Sequence, residues 1–524
     1  MPKTVRFSHG PFLGMRYTTD PTRWDPKYVY RALNMVPADA ENGGPYIRYP
    51  SFVVTDTAIA AAPQGIFWFA AFGQALAVIG GNLYQVGNWG APFVSNATIV
   101  ASGAALNAAG RVWATEFNKQ LVLHDGVNRP FMVSLAGVVT SLTNAPASVY
   151  GNPTVYYGKL FFIKGADRYT LVWSEENAAN TGYEAGGFNN AWTLQQSGND
   201  ALEAIQGMND ALYFWRRSSI GAIHGAVTPD FSAAGTHDEV SRKIGSVSAS
   251  PLAVGDHIWF SDQFARPCRL AQGKLELLDK DIPEFFTDNT AVNGAPYGLP
   301  GTSRGDSECR VGYEPRFNMV IFVMLDVLSR VRIVCFSAAS GAALCELDPD
   351  PTLGVAWGIG AWSFAYRGTA TGFGNKVCAI ARAAAGNVFF YDGSEAGGPY
   401  YAASGAAHQP NAWRITLPPR GDSPDVIYQV SDLEAELDLQ GGAAGGAVTF
   451  GLNADQQVGV TTAVGAAIVV GAQANRRTYV VRARAKRRLR FAQGQLDGNA
   501  SLGYWGVHRV HIAGVPMGRS AKVT

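Results

Sequence analysis

The chain has 524 residues, of which only 16% are charged and 60 are glycine. This length exceeds one ordinary hydrophobic core, so it allows about two to four domains unless a closed repeat architecture holds the chain together. The apolar segments are rich in β-branched and aromatic residues and show no helical heptads, which favours strands and turns over long helices.

The formal net charge of +1 conceals an uneven distribution. Counting Lys and Arg against Asp and Glu, residues 1–50 carry +3, residues 51–410 carry −7 and residues 411–524 carry +5. One interpretation is ordinary variation of the surface composition. The other is that the two ends of the chain meet an acidic neighbour and the middle does not.

The cysteines predict reduced core residues. They are odd in number and widely spaced, without a Cys-x-x-Cys pair, which argues against a disulfide framework or a zinc site. The five are Cys268, Cys309, Cys335, Cys345 and Cys378. The first ten residues lack the apolar run of a signal peptide, and no segment approaches the roughly 18 uninterrupted apolar residues of a membrane span. We therefore expect a soluble chain made in a cytosol.

A β-hairpin pattern at residues 72–86 recurs along the chain. There an apolar run reaches Gly80 and Gly81, and glycine accepts positive φ, so the strand can reverse tightly. Similar segments follow at 120–133, 159–173, 211–223, 256–270, 318–336 and 387–393. Their centres lie about 39 to 65 residues apart, and a period near 40 to 50 residues is typical of propeller blades, whose ring closure removes exposed strand edges. The repeats predict a β-propeller of about six to eight irregular blades.

The two ends of the chain differ from the repeats. Residues 1–50 contain seven prolines, and the six from Pro11 to Pro50 interrupt every candidate element. Beyond residue 410, alternating strands are predicted at 426–439, 447–452, 477–491 and 507–512, joined by glycine-rich connections. The sequence thus predicts an all-β fold with an N-terminal arm (1–50), a β-propeller (51–410) and a β-sandwich-like platform domain (411–524).

Two of the C-terminal strands carry complementary charged faces, because charged and apolar residues alternate in both. The charged residues are Asp432, Glu434, Glu436 and Asp438 on one strand and Arg482, Arg484, Lys486, Arg488 and Arg490 on the other. Arg487 interrupts the alternation, which predicts a bulge or a strand end.

These ladders have more than one interpretation. Neighbouring strands of one sheet would form cross-strand ion pairs, each contributing about 0.2 to 1 kcal/mol. Alternatively, the basic strand meets an acidic partner subunit or an adaptor protein, or it meets nucleic-acid phosphates. Nucleic-acid binding is the weaker interpretation, because the basic strand carries no interleaved aromatic residues. We take the nine residues as candidate contacts to a neighbouring subunit or an adaptor.

Motifs of catalysis are missing from the sequence. It contains no phosphate-binding loop, no nucleophile elbow and no His-Glu-x-x-His. His124 and His224 lie in predicted hairpin turns and are expected to be solvated. Asp348 and Asp350 read as a turn rather than a calcium loop, and the pair Asp279 and Asp281 is explained by chance. We therefore expect a protein that is not an enzyme and has no catalytic residues, metal or cofactor.

Several segments carry a family resemblance. They are Arg48-Tyr-Pro-Ser-Phe52, then residues 114–126, Thr170-Leu-Val-Trp-Ser174, and residues 212–225, 245–262 and 278–286. In their texture and order these segments resemble the tail nozzle proteins, or tail tubular proteins B, of short-tailed bacteriophages and the related packaged-DNA-stabilising tail proteins.

The resemblance implies a structural protein of the virion tail, made in the host bacterial cytoplasm. Its subunits would form a homohexameric ring that contacts the head-to-tail adaptor ring and tail fibre proteins. The central channel would retain double-stranded genomic DNA and later pass it, without sequence specificity.

Two other functions stay open. A propeller enzyme or lectin that binds or degrades host surface glycans would need aromatic residues at one mouth of the propeller. The candidates are Trp173, Trp192, Trp215 and Trp259, although packing inside blades is the commoner use of tryptophan. The third function is a cellular scaffolding propeller.

Overall fold

A computed structural model shows an all-β protein, in which the described residues form 41 strands, one short α-helix and two 3-10 helices. The described residues are 5–16, 25–39, 41–48, 53–54, 59, 61, 63–85, 91–108, 110–185, 189–194, 200–208, 211–225, 237–246, 251–282, 309–315, 317–325, 331–347, 358–367, 376–382, 388–392, 413–418, 426–440, 446–454, 461–470, 477–489, 492–499 and 504–519.

The chain begins with seven short strands. They are β1 (Val5–His9), β2 (Gly14–Met15), β3 (Tyr28–Val29), β4 (Arg31–Leu33), β5 (Met35–Pro37), β6 (Tyr46–Arg48) and β7 (Val53–Val54). Apart from the small parallel pair of β2 and β3, they add to sheets whose other strands come much later in the chain.

Five successive sheets then form propeller blades, each built from antiparallel strands that follow one another in the chain. The first blade has β8 (Pro63–Phe69), β9 (Gln74–Ile79) and β10 (Asn82–Gln85), and the second has β11 (Trp113–Phe117), β12 (Gln120–His124), β13 (Phe131–Val133) and β14 (Val139–Ser141). The third has β15 (Val149–Tyr156), β16 (Lys159–Lys164), β17 (Thr170–Glu175), β18 (Ala178–Gly182) and β19 (Ala191–Thr193). The fourth has β20 (Leu202–Gly207), β21 (Ala211–Arg216), β22 (Ile220–His224) and β23 (His237–Ser241), and the fifth has β24 (Leu252–Val254), β25 (His257–Ser261), β26 (Pro267–Ala271) and β27 (Lys274–Leu277).

The helices lie between these strands. The 3-10 helix Ala70–Phe72 joins β8 to β9, α1 (Asn96–Ala101) lies between the first and second blades, and the 3-10 helix Asp279–Asp281 follows the fifth blade. The first strands of neighbouring blades contact each other, β8 with β11, β11 with β15 and β15 with β20, as the inner strands of a propeller do.

The predicted hairpins of the blades are confirmed. In the first, Gly80 and Gly81 have φ of 58° and 80°, the positive values that a two-residue hairpin turn requires. The predicted segments 120–133, 159–173, 211–223 and 256–270 likewise join the second and third strands of their blades. The recurring pattern therefore marks the same turn of each blade.

A shared turn motif in two blades was not recognised from the sequence. The carboxylate of Asp125 accepts hydrogen bonds from the backbone N–H groups of Val127 and Asn128, at 3.0 and 2.8 Å. In the fifth blade, Asp262 accepts in the same way from Phe264 and Arg266. In both sequences, Asp is followed four residues later by Arg-Pro, where the third strand approaches. This Asp-x-x-x-Arg-Pro repeat is the sequence signal from which the shared turn could be predicted.

The remaining strands belong to three further sheets. Their bounds are β28 (Cys309–Glu314), β29 (Met319–Leu325), β30 (Val331–Ser337), β31 (Ala343–Leu347), β32 (Gly358–Arg367), β33 (Lys376–Arg382), β34 (Val388–Asp392), β35 (Trp413–Thr416), β36 (Val426–Gln440), β37 (Gly446–Ala454), β38 (Thr461–Val470), β39 (Arg477–Leu489), β40 (Ala492–Asn499) and β41 (Tyr504–Arg519). A nine-stranded sheet has the order β28-β29-β30-β31-β4-β35-β40-β37-β38, and a four-stranded sheet has the order β32-β33-β34-β7.

The predicted number of six to eight blades is wrong, because the propeller arrangement has five blades. The predicted hairpin at 318–336 is formed by β29 and β30, but their sheet continues through β4 into C-terminal strands. The segment 387–393 contains the single strand β34, whose sheet is completed by β7 from the other end of the chain. These two sheets stand between the fifth and first blades, since β28 contacts β24 and β32, and β32 contacts β8.

The C-terminal strands form two sheets that pack face to face. A six-stranded sheet has the order β39-β36-β41-β6-β5, with β1 on β41. A side chain at Gly494 of β40 would contact Ile512 and Leu433 of this sheet, at 3.2 and 3.4 Å. At Gly498 a side chain would overlap the ring of Trp413. Gly494 thus permits the close approach of the two sheets, and Gly498 leaves room for a ring on the adjacent strand β35 of its own sheet. The domain boundaries near residues 50 and 410 stay predictions.

One arginine joins the fifth blade to the nine-stranded sheet. The Arg269 guanidinium of β26 donates to the carbonyls of Ala339 and Ser340, each at 3.0 Å, in the turn between β30 and β31. Its Nε also donates to Glu276, at 2.7 Å, and its side chain is only 13% exposed. These hydrogen bonds satisfy carbonyl groups that the turn itself leaves available.

We expect Arg269→Ala to reduce the free energy of unfolding by about 2 kcal/mol, because charged hydrogen bonds at a half-buried junction are lost. Lys280→Ala is the matched control, since Lys280 binds the same Glu276 from a position that is 58% exposed. Its effect should stay below about 0.5 kcal/mol. Thermal and urea unfolding measure both, and equal effects of the two substitutions would contradict this role of Arg269.

Candidate functional site

The two predicted charged ladders lie on adjacent antiparallel strands, β36 and β39. In the register, Asp432 is opposite Arg484 and Glu434 is opposite Arg482. The alternating apolar residues are buried on both strands. They are Leu433, Ala435 and Leu437 on β36, and Val481, Ala483, Ala485 and Leu489 on β39. The charged side chains are therefore placed on the outer face because the opposite face packs into the core.

Glu434 is the centre of the ion pairs on this outer face. Arg482 and Arg6 both form ion pairs with its carboxylate, so strands from both ends of the chain meet there. Burial raises the pKa of Glu434, but the hydrogen bond from Arg482 and the charge of Arg6 outweigh burial and hold that pKa below its usual value. The interpretation of the ladders as a cross-strand ion pair is thus confirmed for Glu434 and Arg482.

Asp438 differs from the other three acidic residues because it is buried. Thr478 Oγ1 donates to its carboxylate at 2.6 Å, and His508 Nε2 lies 2.8 Å from it. Asp438 is only 5% exposed, so its carboxylate serves contacts within this chain. On the exposed part of the face, His511 Nδ1 lies 2.8 Å from Ser8 Oγ.

Arg487 marks a bulge, as its place in the pattern predicts. The register between β36 and β39 shifts between the pair of Val430 with Arg487 and the pair of Asp432 with Arg484. Arg487 and Arg488 are consequently both exposed. Arg490 and the side chain of Lys486 lie outside the described residues.

The outer face carries an excess of positive charge. We define the charged face by the residues Arg6, Asp432, Glu434, Glu436, Arg482, Arg484, Arg488, Arg509 and His511. Its arginines outnumber its carboxylates, and Arg484, Arg488 and Arg509 are exposed. Val480, next to Glu436 in the register, is 59% exposed, and Met517 is 49% exposed. Exposed arginines with large apolar side chains among them are typical of protein–protein interfaces.

The tryptophans that glycan binding would require are mostly in the core. Trp173, Trp215 and Trp259 are at most 1% exposed, and Trp192 packs against the core of the third and fourth blades. An open cavity of about 390 Å³ does exist where β15, β20 and β24 end. It is lined by Val155, Tyr156, Tyr157, Gly207, Met208 and Gly255. Tyr157 is 54% exposed and has φ of 46°, an uncommon conformation for a bulky residue.

His124 is buried, so the prediction that it is solvated is wrong. Its ring stacks on Trp113, with centroids 5.2 Å apart, and Nε2 donates to Gly151 O at 2.8 Å. Nδ1 accepts from the N–H of Gly126. The hairpin pattern located the turn but not the neighbouring blade that covers it. His224 is half exposed, and its Nε2 lies 3.4 Å from Asp238 Oδ2.

The other predicted acidic sites are partly described. Asp279 lies 3.9 Å from Arg266 Nη1. The side chain of Asp281 and both Asp348 and Asp350 lie outside the described residues. Within the described part of the chain, no cluster of three or more His, Cys, Asp or Glu side chains could hold a metal ion. The same part contains no helix long and apolar enough to cross a membrane.

No family model matches the chain, and no curated protein does. Among solved structures, PorZ, a surface component of the type-IX secretion system of Porphyromonas gingivalis, matches 74% of this chain with 12% identity and a TM-score of 0.37. The chain spans only 44% of that PorZ chain. The WD40 domain of Toxoplasma gondii coronin matches 72% of this chain and 91% of its own, with 10% identity and a TM-score of 0.35.

A lectin is also among the similar structures. The BP39L lectin of Burkholderia pseudomallei matches 60% of this chain and 87% of its own, with 10% identity and a TM-score of 0.35. Similarity at this level, to any of the three proteins, carries no argument about the function of this chain.

Stability should depend on pH through His124. Burial lowers its pKa to about 4, although the hydrogen bond to Gly151 and the charge of Asp125 oppose this shift. On acidification, the His124 imidazole is therefore protonated near pH 6.5 in the unfolded chain but only near pH 4 in the folded chain. The free energy of unfolding should be fully retained above pH 6.5 and should fall by up to about 3 kcal/mol as the pH drops to 4.

Urea unfolding between pH 4.5 and 7.5 measures this pH dependence of the free energy of unfolding. The glutamine of His124→Gln offers a hydrogen-bond donor and an acceptor but does not titrate. The free energy of unfolding of this variant should therefore fall less steeply than that of the wild type as the pH is lowered. Identical pH profiles for the wild type and His124→Gln would show that His124 does not titrate as described.

Proposed function

We propose that the protein is a structural subunit of a bacteriophage virion, a tail nozzle or tail hub protein. Its subunits form a homohexameric ring between the head-to-tail adaptor and the tail fibres, and the central channel retains and then passes double-stranded DNA. The resemblance of six sequence segments to that family supports the proposal. The observation that carries it in the structure is the charged face, an exposed arginine-rich surface with apolar side chains.

In a ring, the charged face needs a complementary surface on the neighbouring subunit. Subunits of a ring meet through two different surfaces, so a positive surface needs a negative one on the neighbouring subunit. Residues 51–410 carry a net charge of −7, and residues 411–524 carry +5. In our proposal, the charged face therefore contacts the acidic middle of a neighbouring subunit or the adaptor ring. Complementary charge speeds association and selects the partner.

The same distribution of charge suits passage of DNA. Each phosphate that a protein neutralises strengthens a salt-dependent grip on the nucleic acid. A channel formed by residues 51–410, with their excess of carboxylates, would leave phosphates unbound and let the duplex slide. An arginine-rich channel lining would hold the duplex instead.

We expect the full chain to be a hexamer in native mass spectrometry and light scattering at low salt, and the double substitution Arg484→Glu and Arg488→Glu to shift it toward monomers. Both arginines are exposed. The ion-pair partners of Glu434 are Arg482 and Arg6, which the substitutions leave in place. The matched control is Arg242→Glu with Lys243→Glu, which makes the same change of charge at exposed positions of the fourth blade. The control should remain hexameric.

Salt adds an independent readout. If charge holds the subunits together, the hexamer should weaken as the salt concentration rises from 50 to 500 mM, since the screening length for exposed charges falls from about 14 Å to about 4 Å over that range. A wild-type chain that is monomeric at every salt concentration, or a double variant that assembles like the control, would contradict the proposed contact.

A second candidate function is glycan binding, which the cavity beside Tyr157 favours. An exposed tyrosine ring beside a cavity offers a stacking surface for a sugar ring. If this function holds, the wild-type chain binds or releases host envelope glycans and Tyr157→Ala loses at least tenfold in affinity. Tyr169→Ala is the control, on a turn of the third blade outside the cavity. Absence of binding to host envelope preparations would remove this candidate.

A further inference from the structure

Two cysteines of the nine-stranded sheet are direct neighbours across antiparallel strands. Cys335 of β30 is opposite Cys345 of β31 in the register. Both are free thiols and both are fully buried. The Cys345 thiol is a hydrogen-bond partner of Cys335, so the sulfur atoms face each other.

The geometry of this pair meets the requirement of a disulfide. Residues directly opposite in an antiparallel pair have Cα atoms about 4.5 to 5.5 Å apart, and a disulfide accepts about 4.4 to 6.8 Å. The bond could therefore form without movement of the backbone. Neither Cys268 nor Cys309 is opposite a cysteine in the register, since Cys268 is opposite Phe260 and Leu277, and Cys309 is opposite Met324.

The pair lies beside the point in the nine-stranded sheet where β31 is followed by β4 from the start of the chain and β35 from its C-terminal part. β31 pairs with β4 through Glu346 and Leu33, and the Glu346 carbonyl accepts from the N–H of Asn34 at 2.8 Å. Arg31 forms an ion pair with Glu346 at 2.7 Å. A bond between Cys335 and Cys345 would fasten β31 to β30 beside this junction.

We propose that Cys335 and Cys345 form an intrachain disulfide when the folded protein meets a low-molecular-weight disulfide such as oxidised glutathione. One cysteine, as a thiolate, attacks the reagent, forms a mixed disulfide and releases one glutathione. The second cysteine, as a thiolate, attacks the protein sulfur of that mixed disulfide and releases the second glutathione. The two cysteines are oxidised, the reagent is reduced, and the two released glutathione thiolates take up the two protons.

Burial makes this reaction slow. It raises the pKa of Cys335 well above its usual value, and the carboxylate of Glu314 on β28 adds to the effect. The buried hydroxyl of Tyr46 on β6 is a further ionisable group near the pair, and it donates to Leu344 O at 2.9 Å. The thiols therefore react through transient opening of β30 and β31, and the chain stays reduced in a cytosol that is rich in reduced glutathione. This inference does not rest on the proposed function.

The test uses the full chain, incubated at pH 8 with oxidised glutathione, either without urea or with urea below the unfolding transition. The protein is then denatured and alkylated with N-ethylmaleimide, and the mass of the intact chain is measured by mass spectrometry to count the alkylated cysteines. We expect two of the five cysteines to become inaccessible to the reagent, and a peptide map without reductant to show a link between Cys335 and Cys345.

Single substitutions separate this pair from the other cysteines. Cys335→Ala and Cys345→Ala should each lose the link, and each should lose at most one thiol, as a mixed disulfide of the remaining cysteine with glutathione. Cys268→Ala and Cys309→Ala should still lose two thiols. The proposal is overturned if the wild type keeps five thiols in both conditions, if the link joins other cysteines, or if the loss of two thiols persists in Cys335→Ala.

Discussion

The architecture depends on one constraint: the backbone N–H and C=O groups along a strand edge must find partners. In this chain, strands from its two ends provide many of them. β7 pairs with β34, β1 lies on β41, and β4 lies between β31 and β35. Residues 5–48 thereby share sheets with residues 413–519, and the sheets that follow the fifth blade reach the first one through β32.

The charged face is a product of this closure. Glu434 of β36 binds Arg482 from the neighbouring strand and Arg6 from the start of the chain, so the face forms only when both ends are folded together. A surface assembled in this way is complete only in a finished subunit. That dependence would keep partly folded chains out of an assembly, which fits the proposed role as a subunit of a ring.

Local pattern predicted the hairpins, the alternating strands and the bulge at Arg487, because turn residues and burial with a period of two act over short distances. It did not predict β40, whose run Ala-Gln-Gly-Gln-Leu-Asp-Gly-Asn reads as a turn. There tertiary packing overrides propensity, since Gly498 makes room for Trp413. The number of blades and the burial of His124 depend on which distant strands become neighbours, and spacing along the sequence does not contain that information.

The central claim is that the charged face lies at a contact between subunits of a ring. An electron cryomicroscopy reconstruction of the purified full chain tests it most directly. We expect a sixfold ring with an open centre, in which β36 and β39 of one subunit contact an acidic surface of the next. A monomer, or a ring whose charged face lies in solvent while arginines line the channel, would contradict it.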